Sequence, residues 1–123
     1  MARVLVMDDE EDLRRVLVRV LEGAGHEACQ AANGADGLRE VKAHPVDLVV
    51  TDLVMPEMDG LEFMRELGRL RPGTRVIAIS GGGVWDKTSL LAVADMLGAV
   101  KTLSKPFELD EFSKLVDEVL ASS

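Results

Sequence analysis

The chain of 123 residues is 47% hydrophobic and 29% charged, the balance of an ordinary globular fold with room for one buried core. Its net charge of −8, from 14 basic and 22 acidic residues, argues against sequence-independent binding of nucleic-acid phosphates and favours a cationic surface or a metal ion as partner. No apolar run reaches the ~20 residues of a bilayer span, and the single Cys29 offers neither an intrachain disulfide nor a metal cluster, as befits a reducing cytoplasm.

Two periodicities then alternate along the chain. Val4-Leu5-Val6-Met7 is a short apolar run of the kind a strand buried on both faces requires. The acids that follow it so soon after Met-Ala-Arg rule out a signal peptide. Leu13, Val16, Leu17, Val20 and Leu21 form the stripe of an amphipathic helix, stopped by Gly23 and Gly25. His26 to Ala31 reads as a weaker strand. Asn33-Gly34 caps a helix carrying Leu38 and Val41, and Pro45 ends it. Val46 to Val50 is the clearest strand and runs into Thr51-Asp52. After a loop, Asp59 is the expected N-cap of a helix with Phe63, Leu67 and Leu70 on one side. Arg75 to Ile79 is a fourth strand, followed by Gly81-Gly82-Gly83 and a helix bearing Leu90, Val93, Ala94 and Leu97. Ala99 to Ser104 is the fifth strand, and Leu109, Phe112, Val116, Val119 and Leu120 mark a last helix.

Strict alternation of strand and helix implies parallel strands joined by right-handed crossovers, with helices on both faces. An open doubly wound α/β sheet fits; half of a larger barrel would leave bare edges. In such a sheet every strand's carboxyl end lies along one edge, where ligands bind at the reversal of strand order. The polar residues at those ends are Asp8-Asp9, Asp52, Ser80 and Lys105. If the order is 2-1-3-4-5, strands one and three are neighbours and three aspartates share one crevice. Each pair at ~4 Å repels by roughly 4 kcal/mol at an effective dielectric of ~20, so the cluster must protonate, separate or take a cation. An all-oxygen site points to Mg²⁺, with Mn²⁺ able to substitute. One carboxylate would remain free as a nucleophile toward a phosphoryl group, with the Lys105 charge and the Ser80 hydroxyl aimed at its oxygens.

These residues resemble the response-regulator receiver domain over essentially the whole length. The resemblance rests on Val4 to Glu10, Asp47 to Pro56, Met58-Asp59-Gly60, Ser80 and Lys105-Pro106-Phe107, in that order and spacing. It implies a flavodoxin-like five-stranded sheet of order 2-1-3-4-5, with residues 1–123 forming a single receiver domain. It also implies Mg²⁺ held by Asp8, Asp9, Asp52 and the backbone carbonyl of Val54, with phosphorylation of Asp52 by a sensor histidine kinase or a histidine phosphotransfer protein. Ser80 and Lys105 would contact the phosphoryl group, and the Lys105-Pro106 bond would be cis. The expected setting is a cytoplasmic phosphorelay with an unknown downstream protein target, without direct nucleic-acid or membrane binding. Three features depart from the family pattern: Thr102 where many members carry Tyr or Phe, an apolar Val54, and a segment Gly81 to Ser89 about three residues longer than the common form.

Blander readings weigh less. Asp8 to Asp12 alone could be an acidic first turn complementing a helix dipole, but Asp52 and Lys105 stand at matching strand ends. Gly81 to Thr88 nearly spells a phosphate-binding loop, yet Asp86 occupies the second required glycine. His26 and His44 lack partners at ligand spacing and read as surface residues, while Trp85 fits no core stripe. A small aspartyl-phosphate phosphatase would need an Asp-x-Asp pair and a lid, whereas Asp52 is followed by Leu53-Val54. A phosphorylation-independent interaction module would not need all five site residues.

Overall fold

A computed structural model describes residues 2–52, 60–80 and 99–121. The elements are β1 (Arg3–Met7), α1 (Glu11–Gly23), β2 (Glu27–Ala31), α2 (Gly34–Ala43), β3 (Leu48–Asp52), α3 (Gly60–Leu70), β4 (Arg75–Ser80), β5 (Ala99–Ser104) and α4 (Leu109–Ala121). All sheet pairings are parallel, and the strand order is β2-β1-β3-β4-β5, as the alternation of periodicities and the family resemblance led us to expect. The expected Asp59 cap, Val54, Trp85 and the helix around Leu90 to Leu97 lie outside the described residues.

The sheet is buried on both faces because successive side chains of a strand point to opposite sides. Leu5 and Met7 of β1 join Val49, Val76 and Ala78 beneath α2 and α3, which contribute Leu38, Val41, Phe63, Met64 and Leu67. Val4 and Val6 join Leu48, Val50, Ile77 and Ile79 on the other face, against Leu17, Val18 and Leu21 of α1 and Phe112, Val116 and Val119 of α4. Every residue of β3 is buried, which is why its sequence reads as an unbroken apolar run and not as an alternation.

Local signals set the helix ends. The Asn33 side chain accepts from the Asp36 backbone N–H at 2.8 Å and so caps α2, satisfying one of the donors that a helix start leaves unpaired. Gly37 of α2 leaves no room beside Met7 of β1 and Phe63 of α3: a Cβ at this position would overlap Met7 Sδ and lie 3.1 Å from Phe63 Cε1. Three apolar residues expected in the core are instead exposed: Val16, Leu70 and Leu109. Val16 and Val18 flank Leu17 by about 100° on either side of the helix, and contact with the sheet selects Val18. Leu70 and Leu109 stand at the end of α3 and the start of α4, where the helix has passed the edge of its apolar stripe.

Candidate functional site

Pairing of β1 with β3 sets Met7 opposite Thr51, so Asp8 and Asp52 emerge side by side at the carboxyl edge of the sheet. One carboxylate oxygen from each of Asp8, Asp9 and Asp52 lies within 4.8 Å of the others. Asp8 and Asp52 are buried, whereas Asp9 is exposed. The expected gathering of three acids is therefore present, with the pair from the central strands inside and Asp9 at the rim.

The backbone around these acids is tied down. The Asp8 N–H donates to the Ala31 carbonyl at 3.2 Å, extending the β1–β2 ladder by one bond. The Glu10 N–H donates to Asp8 Oδ1 at 2.8 Å, a local turn in which the carboxylate grips its own chain two residues on. Arg14, one turn into α1, donates from Nη1 to the Asp8 carbonyl at 2.7 Å and from Nε to Gln30 Oε1 at 2.9 Å. The buried Thr51 hydroxyl donates to the Asp52 carbonyl at 2.8 Å.

Lys105 enters from the end of β5, and the Lys105-Pro106 peptide bond is cis, as expected. Its ammonium Nζ lies 3.1 Å from Asp52 Oδ2, 3.3 Å from Glu10 Oε1 and 3.8 Å from Asp8 Oδ2. Asp8 Oδ2 is buried and makes no hydrogen bond among the described residues. Such an atom is costly unless a charge meets it. Burial is the main cause that pushes the Asp8 carboxyl up to about 6 from 3.8. The Glu10 N–H and the Lys105 charge act against the rise, and the charges of Asp52 and Glu10 add to it. For Lys105, burial disfavours the ammonium, but the hydrogen bond to Asp52 and the charges of Asp8 and Asp52 outweigh it and raise its pKa. Lys105 is thus a stable cation among acids that lack enough positive charge.

Ser80 ends β4 opposite Ser104 of β5, at the expected strand terminus; its side chain and Val54 lie outside the described residues. Thr102 pairs with Ala78 across β4 and β5, and its side chain is exposed. His26, expected at the surface, is only partly exposed. Its Nδ1 accepts the Ala2 N–H at 3.1 Å, away from the acids at the opposite edge of the sheet. Sequence reasoning passed over Glu10 and Arg14. Glu10 reads in the sequence as part of an acidic first turn, and Arg14 carries no motif of its own. The signal available for both was adjacency: each follows Asp8 within six positions on a chain that turns sharply there.

The Response regulator receiver domain family model matches residues 4–117. The chain is 34% identical over 123 residues to the response regulator receiver protein CpdR of Brucella abortus, covering all of both chains. It is 36% identical over 123 residues to the DNA-binding transcriptional regulator NtrC of Azospirillum brasilense, covering 99% of this chain and 25% of that one. Among solved structures, the receiver domain of NtrX from Brucella abortus superposes with a TM-score of 0.84 at 28% identity, covering 98% of this chain and 99% of that one.

Proposed function

The chain belongs to the response regulator receiver domain family, the phosphoacceptor switches of two-component systems, and on that premise we propose that Asp52 is its phosphorylation site and that Asp8, Asp9 and Asp52 hold Mg²⁺. The observation that carries this reading is the juxtaposition at Asp52: a buried carboxylate within 4.8 Å of two more acids and 3.1 Å from the Lys105 ammonium group. The buried Asp8 Oδ2, without a hydrogen-bond partner among the described residues, and the all-oxygen donor set suit a hard divalent cation. Val54 would add its backbone carbonyl. The ion, when bound, offsets negative charge on the acids and on phosphoryl oxygens.

The remaining chemistry belongs to the chain. An Asp52 carboxylate oxygen attacks phosphorus of a phosphohistidine on a sensor kinase or phosphotransfer protein. An O–P bond forms, the P–N bond breaks, and the imidazole nitrogen leaves with the electron pair. Burial of Asp52 keeps the nucleophile poorly solvated and the acyl phosphate away from bulk water. Lys105 would pair with a phosphoryl oxygen once it leaves Asp52, and Ser80, at the end of β4, would donate its hydroxyl. The output is a change of shape or binding, not turnover of a substrate, and the setting is a cytoplasmic relay to a protein target.

The test is direct phosphorylation. With a small phosphodonor and Mg²⁺, the wild type gains one acid- and hydroxylamine-labile phosphoryl group, and Asp52→Asn gains none. Undiminished labelling of Asp52→Asn would remove Asp52 from the role.

A further inference from the structure

Lys105 does not sit on Asp52 alone. Its ammonium group is shared among Asp52 at 3.1 Å, Glu10 at 3.3 Å and Asp8 at 3.8 Å. Glu10 differs from the other two: it is exposed and stands outside the acid cluster. Its backbone N–H is nevertheless fastened to Asp8 Oδ1 at 2.8 Å, so its side chain starts from a fixed point beside the site. The carboxylate thus holds Lys105 from the solvent side, while Asp52 and Asp8 hold it from within.

We propose that Glu10 is a positioning residue that acts through Lys105, competing with the phosphoryl group for its ammonium. The inference rests on the phosphoacceptor reading of Asp52. When cations neutralise Asp8 and Asp52, the inner attraction for Lys105 weakens, and Glu10 remains as a carboxylate within reach. A phosphoryl group on Asp52 must then draw Lys105 away from Glu10 to form its own ion pair. Glu10 therefore keeps the lysine near the site between events and sets the threshold for its transfer. Because Glu10 is exposed and the pair is screened, the effect is modest: an exposed ion pair is worth 0.2–1 kcal/mol, or about 1.4- to 5-fold in an equilibrium.

Binding of beryllofluoride, a phosphoryl mimic, at saturating Mg²⁺ tests this without any catalytic readout. Glu10→Gln is expected to tighten beryllofluoride binding about threefold. In a Lys105→Met background the same substitution is expected to change it by less than about 1.3-fold, since the residue through which Glu10 acts is gone. The Lys105 Cε resonance should also shift on Glu10→Gln in the free protein. Equal tightening in both backgrounds would mean that Glu10 acts as a general negative charge near an anion site, and the proposal would be wrong. So would unchanged or weakened binding in Glu10→Gln with Lys105 present. Failure of the wild type itself to bind beryllofluoride would overturn the phosphoacceptor reading and this inference together, which separates the two failures. Glu10 is exposed, and amide NMR spectra of each variant verify the fold before binding is measured.

Discussion

Asp8 is buried, one oxygen is gripped by its own backbone, and the other faces Lys105 only at 3.8 Å. Without a divalent cation its carboxyl is pushed up to about 6 from 3.8, chiefly by burial. A folded-state pKa above the unfolded value means that the group's stabilising contribution is present below the unfolded pKa and is lost as pH rises through about 6. In chelator, the wild type should therefore lose stability between about pH 4 and pH 6. Asp8→Asn keeps the Oδ1 acceptor but not the charge. It should match the wild type near pH 4 and exceed it at pH 7 by on the order of 2–3 kcal/mol, while gaining nothing from added Mg²⁺. Urea titrations of both proteins across that range decide the matter, and a pH-independent difference would count against a strained acid. The chain itself disclosed the acids at this scale, since Asp8, Asp9, Asp52 and Lys105 fall at strand ends once the alternation is seen. It did not disclose that Asp8 is buried and Asp9 exposed, because adjacent residues leaving a strand are sorted by the path of the turn, which the Arg14 and Glu10 bonds determine. Nor did it expose Glu10, whose partner lies 95 positions away.

Among the elements, α2 shows how closely the layers fit. Gly37 faces Met7 and Phe63 with no space for a Cβ, and both neighbours are fully buried. Gly37→Val should cost about 2 kcal/mol by overpacking, even though valine is the better helix former. The cost should shrink when Met7→Ala is added, because the removed thioether opens the space the new methyls need. A chemical-denaturation double-mutant cycle measures this coupling, and additive costs would show that the clash lies elsewhere. Strand and helix identities were legible because period and length agree for each: β3 is five buried residues in a row, and α2 has its Asn33 cap. The rotation of α1 was not legible, since Val16 and Val18 are equally apolar and differ only in which one meets Leu17's neighbours on the sheet. Leu70 and Leu109 keep the apolar period at the last residue of α3 and the first of α4, yet both are exposed, because periodicity does not say where along a helix burial ends.

For the molecule as a whole, the parallel order β2-β1-β3-β4-β5 distributes the site unequally. Asp8 and Asp52 leave two adjacent strands, each paired on both sides, and β3 is buried throughout. Lys105 follows β5, which pairs with β4 alone among the described residues and exposes Lys101, Thr102 and Ser104. Backbone amides open with free energies that range from near zero at edges to the global value in the centre. Native-state hydrogen exchange should accordingly find the β3 amides from Leu48 to Asp52 among the slowest, released only with complete unfolding. The β5 amides should be released earlier, through a smaller opening that leaves β1 and β3 intact. Equal protection of the two strands would contradict this division. Should β5 open before β1 and β3, Lys105 would part from Asp8 and Asp52 while those two acids stay on strands that are still paired with each other.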